Sequence, residues 1–329
     1  MQRRTKTTVA GTLILSMALL TSACSSAATT GSNTNESSST PAATQTETAS
    51  ERTLKDSMGH EVKIPANPQR IIASYLEDPL VALGVTPAAQ WSIKGGSVQD
   101  YLQDKLANVP TISSDLPFEA VASFTPDLLL MDSAEMVEGD KYNQYSAIAP
   151  TYVVGNAENN DWREELKTVG EVLNKSTEAD KVLSDYDAKV ADAKTQIQQK
   201  VGTKSAAAIW ISGKSVFVVN PKLSSGDVMY NDLGFTVPDV VTQASEGKTA
   251  NWSSLALESL STLDADYLFV IIQDGAKPDD GISSSVWNSI PAVKAGHAYT
   301  LSMKSSWLYT GAVANSMIID DILKNVVSQ

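Results

Sequence analysis

Cysteine, histidine and arginine are all scarce in this chain, whose 329 residues contain one Cys, two His and five Arg. The lone thiol, Cys24, can close no disulfide within the chain. With only His60 and His297 to join it, a zinc site of the Cys/His type is also excluded. Positive charge is in deficit as well, 25 Lys+Arg standing against 38 Asp+Glu for a formal net charge of −13. An acidic chain without a block of basic residues repels polyphosphate, so nucleic acid is not an expected partner. Neither a G-x-S-x-G elbow nor a G-x-x-x-x-G-K loop is present, which removes two well-marked enzyme classes. What remains is a globular composition, 42 % hydrophobic and 19 % charged. The length corresponds to roughly two domains.

The first residues point to a location. Arg3, Arg4 and Lys6 precede an apolar run over residues 9–20, and the small residues Ser22 and Ala23 lead into Cys24. A basic head, a short apolar stretch and a small-residue exit form an export signal, predicted over residues 1–23. The apolar run is too short to remain as a bilayer span, which takes about 20 residues. Leu20-Thr21-Ser22-Ala23-Cys24 resembles the lipobox of bacterial lipoproteins, although Thr21 stands where that family prefers Leu, Val or Ile. The resemblance implies a diacylated Cys24 as the new N-terminus, and two acyl chains would hold the protein stably on the outer face of the cell membrane. The remaining chain would carry 22 Lys+Arg against 38 Asp+Glu, a net charge of −16. Residues 24–52 read as a flexible tether. Positions 25–52 hold 14 Ser or Thr in 28, with no aromatic residue and no Leu, Ile or Val, too little apolar surface to offset the entropy of ordering. Folded structure is expected from Thr53.

A repeat organises the interior. Residues 118–130 align with residues 257–269 at a constant offset of 139. In both, a glutamate, Glu119 or Glu258, opens a short helix whose apolar positions keep helical spacing, Val121 with Phe124 and Leu260 with Leu263. An aspartate eight residues later, Asp127 or Asp266, starts an unbroken apolar run, 128–131 or 267–272, of the kind shown by a strand buried on both faces. The unit is helix, turn and buried strand, once in each half. Further strands are predicted at 70–74, 151–154, 206–211, 215–219 and 298–301. Strands alternating with helical patterns predict parallel sheets in an α/β architecture. Two Rossmann-like lobes follow, over 53–160 and 203–329, with linking helices in 161–202.

Within that linker, residues 175–200 carry Val182, Tyr186, Val190 and Ile197 near helical spacing, and no Gly or Pro occurs before Gly202. Ser176 or Thr177 is positioned to cap the start, with Glu178 and Asp180 in the first turn. At 1.5 Å per residue, a helix of about 25 residues runs roughly 37 Å, a stiff strut between lobes. A last helix is predicted over 310–327, packed on the second lobe.

A lipobox, a Ser/Thr tether, two α/β lobes and one long linking helix together resemble a class III solute-binding protein of an ABC importer. Local sequences sharpen this toward the siderophore-binding branch: residues 56–65 and 67–72 resemble its opening hairpin and first strand. Residues 226–234 and Trp307-Leu308-Tyr309 match it too. The similarity covers residues 53–329. In that family one glutamate on each lobe docks onto arginines of a permease dimer, and the resemblance carries those roles onto Glu119 and Glu258. Two carboxylates set symmetrically across a cleft reach both permease halves only at a set lobe spacing, so docking would report closure. The binding protein itself is expected to be a monomer with no cofactor.

The cargo implied is a ferric siderophore, which surrounds its metal with its own oxygens, so the protein supplies no metal ligand. Relatives that take anionic ferric catecholates or citrates line the cleft with arginines, whose forks bind oxyanions. Of the five arginines here, Arg3 and Arg4 leave with the signal, Arg52 lies in the tether, Arg70 begins a strand and Arg163 approaches the linking helices. Many relatives show Ile-Arg-Val where this chain has Ile209-Trp210-Ile211. A cleft of aromatic and polar groups suits a neutral or weakly charged complex such as a ferric trihydroxamate, although Lys94 and Lys222 remain as sources of charge. Open α/β sheets bind ligands at strand ends facing the crevice. The candidates there are Tyr75, Trp91 with Lys94, Trp210, Asn220, and Trp307 with Tyr309. Trp162, Trp252 and Trp287 are assigned to structure.

Two other cargoes suit the same fold. A haem receptor would want an axial Tyr or His; His60 and His297 read as solvated turn residues, which leaves Tyr75. Cobalamin is the second. A free metal-ion receptor needs a His/Asp/Glu cluster, for which two histidines are too few. The rivals from other classes are an extracellular two-lobed α/β enzyme, for which nothing places a serine beside a histidine, and an adhesin, which would lack a deep apolar cleft.

Overall fold

The computed structural model of the protein describes residues 50–93, 96–157 and 159–328. The expected signal, Cys24, most of the tether and Lys94 lie outside the described residues. Thr48–Gln329 forms one compact unit, and among the described residues no helix is long and apolar enough to cross a membrane.

A hairpin opens the folded part, β1 (Arg52–Lys55) pairing antiparallel with β2 (Glu61–Ile64). Between them the Asp56 carboxylate accepts the main-chain N–H groups of Met58 (3.0 Å) and His60 (2.8 Å) and pairs with His60 Nδ1 (2.9 Å). Arg52 is a strand residue rather than part of the tether. Its guanidinium donates to the Val172 carbonyl at 2.9 Å, so charge and backbone pairing order the chain up to that point.

The first lobe holds two parallel sheets. β3 (Ile71–Ala73) and, after helix α1 (Glu77–Ala82), β4 (Gln90–Ser92) and β5 (Thr111–Ser113) precede helix α2 (Phe118–Ser123), β6 (Leu128–Met131) and β7 (Thr151–Val153). The strand order is β3-β6-β7, with β4 and β5 forming a parallel pair beside it. All four residues of the central strand β6 are buried, as its apolar run requires.

Two linking helices follow. In α3 (Trp162–Val172), Asp161 caps the start by accepting from Arg163 N–H at 2.8 Å and Glu164 N–H at 3.3 Å. The long helix α4 (Ser176–Val201) begins one residue after the predicted start and has no side-chain cap; Lys175 holds the cap position. A tight turn explains this: Lys175 N–H donates to the Gly170 carbonyl at 2.6 Å, which drives the chain from one helix into the next. Ala179, Tyr186, Ala193 and Ile197 form the buried face of α4, so it is packed along its length rather than a free strut.

The second lobe carries a five-stranded sheet. Its strands are β8 (Ala206–Ser212), β9 (Ser215–Val219), β10 (Trp252–Leu255), β11 (Tyr267–Ile272) after helix α5 (Leu257–Leu260), and β12 (Ala298–Ser302). The order is β10-β9-β8-β11-β12. β8, β10, β11 and β12 point the same way, and β9 runs antiparallel to its neighbours β8 and β10, against the all-parallel expectation. The reason is the two-residue turn at Gly213 (φ +59°) and Lys214, far too short for a parallel crossover. The last helix, α6 (Ala312–Ile322), packs not only on the second lobe but also against α1 and α4.

The repeat acquires a physical basis. Asp127, just before β6, accepts the N–H groups of Gln69 (2.7 Å) and Arg70 (2.9 Å) at the start of neighbouring β3. Asp266, just before β11, accepts Ser205 N–H (2.9 Å) at the start of neighbouring β8. In each lobe a carboxylate just before one strand pins the start of the parallel strand beside it.

Candidate functional site

Strand ends and the loops after them build a cleft between the lobes. A cavity of about 530 Å³ takes Tyr75, Trp91 and Asp132 from the first lobe and Asn251 and Tyr309 from the second. A second cavity of about 970 Å³ lies on the second lobe, where Asn220, Lys222, Ser245 and Lys248 line it. Glu135 and Asn159 line both, so the two cavities adjoin. Asn159 also bridges the lobes directly, its amide donating to the Thr249 carbonyl at 3.2 Å.

An aromatic wall dominates the first cavity. Tyr75 follows β3 with φ +56°, a left-handed conformation that costs a bulky residue about 1–3 kcal/mol, and its ring is 40 % exposed. It meets Trp91 edge-on at 4.9 Å and Tyr309 at 6.4 Å. The Trp91 indole N–H donates to the Ser114 carbonyl (3.1 Å), which fixes its ring. The Tyr309 hydroxyl donates across the lobes to the Val98 carbonyl at 3.4 Å. A strained, exposed aromatic held beside two others presents an aromatic surface to the cavity.

Charge differs between the two cavities, the second being lined by Lys222 and Lys248. Among the described residues of the first cavity the charged groups are Asp132 and Glu135, with no lysine or arginine. Asp132 accepts the Ser74 hydroxyl at 2.7 Å. Beneath the wall, burial pushes the Glu77 carboxyl up to about 8, against the opposing pull of the Trp91 N–H bond. Burial likewise raises Glu165 to about 7 and Asp78 to about 6. None of the described arginines lines either cavity. Arg52 serves the Val172 carbonyl, and Arg70 donates to the Phe124 and Thr125 carbonyls. Arg163 pairs with Asp232 at 3.2 Å and lies over the Trp162 ring at 4.4 Å.

Among the described residues no cluster of three or more His, Cys, Asp or Glu is able to hold a metal. A model of the family described as periplasmic binding protein matches residues 74–304, more than half of the chain. The chain belongs to the periplasmic binding protein family. Membership makes it a binding protein rather than an enzyme. The probable siderophore-binding lipoprotein YfiY of Bacillus subtilis is 29 % identical over 295 residues, covering 85 % of this chain and 89 % of the relative. The iron(3+)-hydroxamate-binding protein FhuD of the same organism is 28 % identical over 266 residues, covering 79 % and 82 %. The crystal structure of the FhuD fold-family protein BSU3320 of Bacillus subtilis has a TM-score of 0.69 at 24 % identity, covering 84 % of this chain and 100 % of that one. The two-lobed α/β fold expected from sequence is the fold of this family.

In this periplasmic binding protein, Tyr75, Trp91 and Tyr309 come together in the first cavity and Asn220 lines the second. The Asn220 amide donates to the Lys248 carbonyl (3.2 Å) and its oxygen accepts Lys222 N–H (3.0 Å), so it ties together the two loops that carry these lysines. Trp307 is not a cleft residue. It is fully buried, stacked on Phe269 at 4.6 Å, with its indole N–H on the Asp321 carboxylate at 2.9 Å. Trp210 lines neither cavity either. Alternation along β8 puts it on the same face as Ala206 and Ala208, where it stacks on Phe217 at 5.0 Å and abuts Trp252.

Glu119 and Glu258 are exposed second residues of α2 and α5. His60 and His297 are more engaged than solvated turn residues. His60 stacks on Tyr142 at 3.7 Å, and His297 stacks on Tyr267 at 4.8 Å with Nδ1 3.1 Å from the Asp266 carbonyl. Neither lines the cleft cavities. Sequence reasoning missed Glu77, Asp132 and Asn251. Asp132 directly follows β6, so the rule of strand ends could have found it; the search for aromatics and cations passed over carboxylates.

Proposed function

We propose that this protein is the membrane-anchored receptor of an ABC importer and holds a ferric siderophore of hydroxamate type in the inter-lobe cleft. The observation that carries this reading is the first cavity itself: shared by both lobes, walled by Tyr75, Trp91 and Tyr309, and free of described cations. A volume of about 530 Å³ suits a small-molecule ligand. Multiply anionic catecholates and citrates would meet Asp132 and Glu135 there, whereas a neutral or cationic trihydroxamate would not be repelled. Membership of the family and the functions for which YfiY and FhuD are named support an iron–siderophore cargo. No cofactor is needed, since the chelator supplies every iron ligand. Glu119 and Glu258 dock onto a permease dimer, and Cys24 carries the lipid that keeps the receptor on the extracytoplasmic face of the membrane.

The test is titration of the full chain with ferrichrome, ferrioxamine, ferric citrate and a ferric catecholate, followed by tryptophan quenching and calorimetry. Hydroxamates are expected to quench and to bind at least tenfold more tightly than the anionic complexes. Preference for citrate or catecholate, or no heat with any hydroxamate, refutes the cargo assignment.

A further inference from the structure

Two consecutive acids, Glu77 and Asp78, open α1, and both are almost wholly buried at 1 % and 2 % exposure. Neither has an ion-pair partner among the described residues. The carboxyls near them are Asp132, beside Glu77, and Glu165, beside Asp78, while the Tyr101 hydroxyl donates to Asp78. Burying adjacent carboxyls without a cation works against stability, so a fold that keeps them puts them to use.

Their hydrogen bonds run to opposite sides of the cleft. Glu77 Oε1 accepts Trp91 N–H at 2.6 Å, and Oε2 accepts the Gln99 amide at 3.2 Å. Both partners line the first cavity on the first lobe. Asp78 accepts Val313 N–H at 3.1 Å and Ala314 N–H at 2.9 Å, the opening of α6 on the second lobe. That helix follows directly after Tyr309. The Tyr101 hydroxyl lies between the two systems, 2.9 Å from Asp78 Oδ2 and 3.0 Å from Gln99 Oε1.

We infer that Glu77 and Asp78 are positioning residues for the cargo: Glu77 sets the Trp91–Gln99 wall, and Asp78 ties the facing Tyr309–α6 wall to the same turn of α1. The inference rests on the cleft being the cargo site, but the tie between the walls stands on its own geometry. A chelate touching Trp91 and Tyr309 together reads a spacing fixed by adjacent residues on one short helix.

Two measurements on the full chain test this. In the cargo-free protein, hydrogen exchange is expected to speed up at the Trp91 amide in Glu77→Ala and at the Val313 and Ala314 amides in Asp78→Ala. Glu77→Gln keeps Trp91 protected, because its oxygen still accepts that N–H and its amide meets a flipped Gln99. With ferrioxamine as the probe, Glu77→Ala is expected to lose at least tenfold in affinity and Glu77→Gln less than threefold. Unchanged exchange in both alanine variants, or equal loss in Glu77→Ala and Glu77→Gln, overturns the assignment. If wild type binds no hydroxamate while the exchange changes appear, the cargo reading fails and the positioning role stands.

Discussion

Gly311 and Asp78 meet at the boundary between the lobes, where a Cβ on Gly311 would fall on the Asp78 carboxylate. Gly311 also has φ +138°, a conformation that side-chain-bearing residues rarely adopt. Glycine is therefore required both by backbone angle and by the approach of the carboxylate that caps α6. Gly311→Ala is expected to lower stability by about 2–3 kcal/mol, read as a lower Tm and urea midpoint. The carboxylate cannot swing aside to relieve the collision, because two main-chain N–H bonds from α6 already hold it. A variant as stable as wild type would mean that the two lobes part there freely.

The buried acids give stability an unusual dependence on pH. Glu77 is raised from 4.5 to about 8, Glu165 from 4.5 to about 7 and Asp78 from 3.8 to about 6. Each folded-state value lies above the unfolded one, so the folded state holds these protons more tightly. Their contribution is fully present below about pH 4 and is lost as pH rises through the folded values. Tm is thus expected to fall between pH 5 and pH 8.5, with Glu77→Gln flattening the upper end of the slope. A Tm that climbs steadily across this window would contradict the burial of these groups in the folded protein.

Backbone-level features were legible because they follow from local pattern. The runs that became β6 and β11 are apolar throughout, and the boundaries read from them are those found. The offset of 139 between Asp127 and Asp266 was visible as letters, and its meaning, a carboxylate before one strand pinning the start of its parallel neighbour, needed the register. β10 escaped notice because Trp-Ser-Ser-Leu has neither alternation nor an apolar run; it is an edge strand held by β9 alone. The cleft was half legible. Tyr75 and Tyr309 stand just past the ends of elements, where chain direction favours the crevice, and Trp91 sits within the short strand β4. Trp307 occupies a similar place in sequence yet turns inward, because Asp321 in the next helix offers its indole a buried acceptor. Such a partner fourteen residues away leaves no local signature.

That difference separates the two tryptophans by experiment. Trp307→Ala removes a fully buried ring and leaves Asp321 without its donor, expected to cost about 3–5 kcal/mol of stability. Trp91→Ala trims a partly exposed ring of the cavity wall, and should lower ferrioxamine affinity at least tenfold with a much smaller change in Tm. Calorimetry on the folded fraction of each variant decides the matter. Loss of affinity in folded Trp307→Phe, with Trp91→Ala unaffected, would reverse the assignment of wall and core.

Glu119 and Glu258 pose a sharper choice, since a glutamate in the first turn of a helix has a local use of its own. Both follow an extended cap residue, Pro117 or Ala256, and both are exposed. Favourable interaction with a helix N-terminus is typically worth about 0.3–1 kcal/mol. If that were their whole role, the Glu119→Ala, Glu258→Ala double variant would melt slightly lower and import iron normally. Docking predicts the reverse emphasis: near-normal Tm, unchanged hydroxamate affinity, and loss of uptake by cells that depend on this receptor. Either single variant should retain partial uptake, because one lobe can still engage its half of a permease dimer. Replacing each with Lys should abolish uptake outright, as like charges across the contact cost far more than a missing one. Uptake measured with radiolabelled iron on the intact receptor separates the two roles, and full transport by the double lysine variant would remove docking from these residues.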